Sequence, residues 1–345
     1  MMMNLSSCKS TIASNTRLQF FPLPNCARAA LPPSRLIRAM ASASVSTPAS
    51  SESPLLRSVL AAVTKPYLEK NHTAVNAMRL IQDKEGGEPL CFDHFAFRTF
   101  GIDGCGITSI AQLFLDLGYK ARDELRFPAK KLRALWFSPP DQSSNDEGPL
   151  PRIFISELLV QELSEDAQAI VSKYTQNASQ LSKHAAIASV LSSLPWPTPS
   201  AHDYKILARE SEYAAWTLVN GYALNHLTIS VHRLRSQIRK ISELNAFLQE
   251  KGIKLNCEGG ILKVSPDGGL LQSSTVADSF MFPFAGGELL RTPASYIEFA
   301  ERLVLEKYLD LPPSKIQEWH RRDGFEVGNA DKIFESTSSN QTGVQ

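Results

Sequence analysis

DHFAFRTFG, residues Asp93 to Gly101, reads as a β-strand with two unlike faces. Side chains alternate along a strand, so Phe95 and Phe97 point one way while His94, Ala96 and Arg98 point the other. Ordinary core strands do not carry a histidine and an arginine together on one face. The phenylalanine face is expected to pack on the fold, and the polar face to line a site.

The elements behind this strand recur later in the chain. "ITSIAQLFLDLGYKARDEL" predicts an amphipathic helix, a C-cap at Gly118 and a new strand. "LRALWFSPP" and "PRIFISELLV" predict two more strands, split by the turn-rich "PPDQSSNDEGPLP". The order then returns: "NHLTISVH" (Asn225 to His232) is a strand, and "LRSQIRKISELNAFLQEKGIKLN" is a helix leading through Gly252 into a strand. "ILKVSPDGGLLQSS" and "DSFMFPFAGG" suggest a hairpin around Asp267-Gly268-Gly269, and "ASYIEFAERLVL" supplies the last strand. "FLDLGYKARDE" against "FLQEKGIKLNC" is the best internal echo. The expectation is an α+β fold with a single catalytic domain over residues 52–335. It holds two βαβββ modules, at about 88–160 and 220–308, with a helical insert at about 161–219 between them. Two helices in "SPLLRSVLAAVTKPYLEKNHTAVNAMRLI" precede the first module. Residues 309–335 are read as a lid and 336–345 as a disordered tail.

Each module opens with a strand bearing a histidine near its start, His94 and His226. The last strand of the second module carries Glu298 between Ile297 and Phe299, on the face shared by Tyr296 and Ala300. Two imidazoles and a carboxylate suit a mononuclear metal and leave positions open, as in non-haem Fe(II) oxygenases. His232 competes with His226, since six residues along a strand restore the same face, but it sits at the strand's end. Glu157 in "RIFISEL", read as the first-module counterpart of Glu298, competes as the acid. Arg98 lies about 13 Å along the strand from His94, on the same face. Its guanidinium there could hold a carboxylate with two hydrogen bonds while the substrate's other end meets the metal. Arg291 is the next candidate for that role. His72, His184, His202 and His320 fall in predicted helices or loops and read as surface residues.

From Met1 to Ser51 there is no acidic residue, while Lys9, Arg17, Arg28, Arg35 and Arg38 supply positive charge among serine, alanine and proline. Such a leader reads as a transit peptide, and its serine content points to a plastid, chloroplast or amyloplast. Without these five basic residues the chain's 36 become 31, against 35 acids, a net charge of −4. The whole chain's +1 gives no hint of nucleic-acid binding. No apolar run approaches the ~18 residues of a membrane helix. The five cysteines, Cys8, Cys26, Cys91, Cys105 and Cys257, form no CxxC pair and suggest no disulfide framework.

"YIEFAER" followed by "RDGFEVGNADKIFES" resembles the C-terminal signature of the 4-hydroxyphenylpyruvate dioxygenases. With "DHFAFRTFG", "RIFISELL" and "NHLTIS", roughly residues 55–335 look more closely like the 2-oxoadipate dioxygenase/decarboxylase family, iron enzymes of the vicinal-oxygen-chelate fold. The resemblance implies a curved sheet around the metal, Fe(II) on His94, His226 and Glu298, and Arg98 on the substrate's far carboxylate. It implies conversion of 2-oxoadipate and dioxygen to 2-hydroxyglutarate and CO2, in lysine catabolism, in a plastid. Other readings stay open: a glyoxalase-like metal isomerase or lyase, a zinc hydrolase, and a non-catalytic plastid interaction protein on the same fold.

Overall fold

A computed structural model describes residues 54–140, 149–176, 187–188 and 191–344. The leader, His184 and most of the "PPDQSSNDEGPLP" turn lie outside the described residues. Helix α1 (Pro54–Lys70) and α2 (His72–Lys84) come first. They meet at Asn71, whose amide donates to the Tyr67 carbonyl and whose Oδ1 accepts from Ser295 N, tying the joint to the far end of the chain.

The first module is β1 (Phe92–Phe100), α3 (Ile107–Asp116), β2 (Lys120–Phe127), β3 (Leu132–Ser138) and β4 (Arg152–Leu158). Gly118 ends α3 at φ +92°, where a side chain would be strained, and Tyr119 N returns to the Phe114 carbonyl at 3.0 Å. The insert supplies α4 (Glu165–Thr175), α5 (Ala201–Glu210) and α6 (Glu212–Asn220). The second module is β5 (Leu224–Ser230), α7 (Ile241–Glu250), β6 (Lys263–Val264), β7 (Leu270–Ser274) and β10 (Tyr296–Arg302).

All eight of these strands form one curved sheet in the order β2-β3-β4-β1-β5-β10-β7-β6. The order is the same in each half read outward from the centre. In each half the fourth strand lies parallel beside the first, and β1 pairs antiparallel with β5 at the middle. The two modules are thus related by a pseudo-twofold axis between β1 and β5. The paired modules are those expected from the repeat, and their arrangement is the vicinal-oxygen-chelate fold that the family resemblance implies.

Two predicted strands of the second module behave differently. Residues after Gly252 form no named strand; Leu255 makes only an isolated bridge to Thr275. "DSFMFP" leaves the sheet: β8 (Ser279–Pro283) pairs with β9 (Leu289–Pro293) as a separate hairpin. The turn at Ser265–Gly269 does join β6 to β7, with Asp267 Oδ1 accepting from Gly269 N.

The C-terminal end also departs from expectation. After α8 (Val327–Phe334), residues 335–337 form a 3-10 turn and α9 spans Ser339–Thr342. Ser336, Thr337, Ser338 and Gln341 are buried, and Ser336 bonds both Asn256 and Ser274. Polar composition suggested a loose tail, but the Ser336 hydroxyl bonds Ser274 of β7 and the Thr337 hydroxyl accepts from Arg98 of β1, in place of water.

The phenylalanine face of β1 packs as its alternation requires. Phe97 meets Phe114 of α3, and Phe95 meets Phe92. The other face looks into the concavity shared by the two halves.

Candidate metal centre

His94, His226 and Glu298 come together in that concavity and form a group that could hold a metal ion. Their ligand atoms lie within 4.8 Å of one another, and their relative exposures are 2%, 4% and 1%. Glu298 Oε2 is 3.2 Å from His226 Nε2 and 3.7 Å from His94 Nε2.

What aims the two Nε2 atoms is a pair of β-bulges. Between Phe92 and His94 the register to β5 slips by one, making Asp93 the extra residue on β1. Between Ala96 and Phe97 it slips the other way, making Asn225 the extra residue on β5. A bulge re-aims side chains, so consecutive residues can serve one face. Asp93 Oδ1 lies 2.8 Å from His94 Nδ1, and Asn225 Oδ1 lies 3.0 Å from His226 Nδ1. Each oxygen accepts the Nδ1 proton of the histidine after it, leaving Nε2 as the free base.

The oxygens differ in charge. Asp93 is fully buried and gripped by Arg302, Nε to Oδ2 at 2.6 Å and Nη2 to Oδ1 at 2.9 Å, with Arg152 3.5 Å away. Burial alone would raise the Asp93 pKa, but the two guanidiniums hold it well below the carboxylate range. Glu298 is oriented by Gln272, whose Nε2 donates to Oε1 at 2.7 Å, and Gln272 is fixed in turn by Asn329 of α8. Phe325 lies edge-on to His94 at 4.8 Å, and Tyr296 stacks on His226 at 4.6 Å.

Burial would lift the Glu298 pKa, yet the two imidazoles hold it at about 2. His226 is pushed down to about 4, by burial above all. His94 moves up: burial opposes the charged form, but Glu298 and Asp93 together outweigh it. The directions leave an ionised Glu298 facing two imidazoles, of which His94 takes up a proton more readily than His226, at the place where a divalent cation would sit. The donor set fits such an ion: two neutral nitrogens, one carboxylate, fixed tautomers and no competing cation among the three.

The competitors lie elsewhere. The β1–β4 register pairs Glu157 with Thr99, on the opposite face from His94 and Arg98. There Glu157 receives Arg133 Nε and Ile107 N at the start of α3. By register, the first-module counterpart of Glu298 is Phe154, because His94 pairs with Arg152 as His226 pairs with Tyr296. His232 lies in a 3-10 turn after β5, where Nδ1 accepts from Arg302 N and Nε2 faces Glu318 at 3.4 Å. Arg291 is exposed on β9 and bonds Ser279. His320, expected at the surface, is buried, with Nδ1 accepting from Gln317 N.

Arg98 is 2% exposed and makes no ion pair among the described residues. Its guanidinium sits among Tyr213, Trp216 and Phe334, at 5.0, 5.0 and 5.7 Å from the ring centres. Nη1 donates to Thr337 Oγ1 at 3.1 Å, Nη2 reaches the Phe334 carbonyl at 3.5 Å, and Nε has no partner. A buried cation with neutral acceptors only is a place for an anion.

Residues 41–311 match the family model of the 2-oxoadipate dioxygenase/decarboxylases. The chain belongs to this family. A chloroplastic 2-oxoadipate dioxygenase/decarboxylase of Arabidopsis thaliana is 60% identical over 290 residues, 83% of this chain and 78% of that one. The crystal structure of a hydroxyglutarate synthase from Oryza sativa, in complex with 2-oxoadipate, superposes with a TM-score of 0.81 at 56% identity. It covers 87% of this chain and 99% of its own. A glyoxalase superfamily protein from Ralstonia eutropha shares the fold, with a TM-score of 0.57 at 20% identity over 78% of this chain and 85% of its own.

Sequence reading found the three candidate ligands and Arg98. It missed Asp93, Asn225 and Gln272, although an acid or amide directly before each module-opening histidine was a visible signal.

Proposed function

We propose that this chain is an Fe(II)-dependent dioxygenase that converts 2-oxoadipate and dioxygen to 2-hydroxyglutarate and CO2, acting in a plastid. The observation that carries the reading is Arg98, a buried guanidinium without an acidic partner, on the same strand face as the metal-ligand candidate His94. Family membership and the 2-oxoadipate complex of the Oryza structure support the substrate. The chloroplastic Arabidopsis relative and the acid-free leader support the location.

His94, His226 and Glu298 would hold the iron, which supplies dioxygen activation and a chelation point for the 2-oxo acid end. The remaining work belongs to the chain. Arg98 takes the far carboxylate, so that one particular carbon faces the reacting centre. Phe325, Phe154 and Trp136 keep water away from His94's side of the site. Asp93 and Asn225 hold the Nδ1 protons and fix both imidazoles. The reaction balances with both oxygen atoms retained: the first carboxyl leaves as CO2, the former keto carbon becomes a carboxylate, and its neighbour gains a hydroxyl.

The test is oxygen uptake by anaerobically Fe(II)-loaded protein over a panel of 2-oxo acids, with product identified by mass. Stoichiometric O2 consumption and 2-hydroxyglutarate are expected with 2-oxoadipate. Arg98→Ala should lower kcat/KM for 2-oxoadipate by roughly 30- to 1000-fold with iron content unchanged. Isomerised product without oxygen uptake would overturn the dioxygenase reading.

A further inference from the structure

Among the described residues, four buried side-chain polar atoms meet no partner at full hydrogen-bonding geometry: Arg98 Nε, Asn225 Nδ2, Tyr296 Oη and Ser338 Oγ; the Arg98 guanidinium does approach the Tyr296 hydroxyl as a donor, which leaves the hydroxyl's own proton unplaced. Buried polar groups are almost always satisfied, because an unmet donor loses its bonds to water and gains nothing. These four are not scattered. Asn225 precedes His226, Tyr296 stacks on His226, and the Arg98 charge acts on both His226 and Tyr296. Ser338 follows Thr337, which accepts from Arg98. All four can donate, and the one cation among them, Arg98, makes no ion pair among the described residues.

We propose that Tyr296 is a further substrate-binding residue, whose hydroxyl donates to the far carboxylate beside Arg98 and so sets the preference for a dicarboxylic 2-oxo acid. This rests on the reading under Proposed function. Tyr296 lies two residues before Glu298 on β10, about 7 Å along the strand and on the same face. Its ring cannot swing away, being stacked on His226 at an interplanar angle of 22°. Its backbone is pinned as well, since the Tyr67 hydroxyl donates to the Tyr296 carbonyl. A phenylalanine would fill the same space and stack as well, so packing does not account for the hydroxyl.

The experiment compares the parent with Tyr296→Phe on 2-oxoadipate and on 2-oxohexanoate, which has the same length and no far carboxylate. It includes iron content, the melting temperature of the ligand-free protein, and the thermal shift induced by glutarate in metal-loaded, anaerobic protein. We expect kcat/KM for 2-oxoadipate to fall about 10- to 100-fold, mainly through KM, with 2-oxohexanoate within about twofold. Iron content and melting temperature should not fall, and the glutarate shift should shrink. A merely structural tyrosine predicts a lower melting temperature or lost iron, which would overturn the proposal. Equal losses on both substrates would do the same, moving the hydroxyl to the reacting end, as would unchanged kinetics. If the parent does not turn over 2-oxoadipate, the functional reading fails by itself, while the glutarate arm still decides Tyr296.

Discussion

The two modules are built to one plan and equipped differently. Each begins with a bulged residue followed by a histidine, Asp93-His94 in the first and Asn225-His226 in the second. Each brings its fourth strand back parallel beside its first. At the matching position of that fourth strand, however, the second module has Glu298 and the first has Phe154. The difference shows how a duplicated fold can present three candidate ligands in place of four. Strict twofold repetition would supply two histidines and two acids; with an aromatic ring at one acid position, the candidate ligands are two imidazoles and one carboxylate. Phe154 packs on Phe325 at 4.9 Å, so the position that matches Glu298 belongs to the aromatic cover of the site in the first module.

The largest effect should come from breaking the ligand set itself. Alanine at His94, His226 or Glu298 should abolish stoichiometric metal binding, read by metal analysis after anaerobic loading, while the protein stays folded. His232→Ala and Glu157→Gln should keep full stoichiometry, since one lies beyond the strand and the other on its far face. Retention of metal in Glu298→Ala with loss in Glu157→Gln would reverse the register-based assignment.

Next in size is the contrast between the two bulged residues. Asp93→Asn removes a buried charge from the Arg302 pair, and should cost about 3–5 kcal/mol of stability as well as about 10- to 100-fold in metal affinity. Asn225→Ala removes a neutral acceptor and should cost less than about tenfold in affinity, with little change in stability. Calorimetric titration with Co(II) and a denaturant series measure both. Equal effects would mean that the charge on Asp93 contributes nothing to His94.

The smallest effect is on pH dependence. The folded-state pKa of His94 lies above the ordinary value of 6.5, so its proton competes with a metal already near neutrality. Affinity should therefore fall as the pH is lowered through neutrality, by at most about tenfold per unit for the one displaced proton. In Asp93→Asn the onset should move to lower pH, because a carboxylate that raises the His94 pKa is gone. An onset that stays in place would assign the shift to Glu298 alone.

The features that proved legible in sequence were those written in local alternation. His94, Arg98, His226 and Glu298 could be placed on strand faces because each strand's period is its own property. Registers between strands are not, and that is why Glu157 looked like the partner of Glu298 when pairing puts Phe154 there. Bulges are also a property of pairs: nothing in "DHFAFRTFG" says that Asp93 and His94 turn to the same face, since strict alternation separates them. Composition misled at the end of the chain, where Ser336, Thr337 and Ser338 look like a polar tail. They are buried against the sheet, and Thr337 receives Arg98.

The paired bulges have a consequence for protein engineering. An ordinary strand separates neighbours onto opposite faces, so a ligand and the group that orients it must be recruited from different strands and co-optimised. Here the two come as a dipeptide, and the group that touches each imidazole travels with a one-residue insertion, although Asp93 is itself held by Arg302 of β10. Grafting such a cluster into another antiparallel pair would therefore need two inserted residues, each directly before a histidine, one acid on an adjoining strand, and a buried cation to hold the inserted carboxylate.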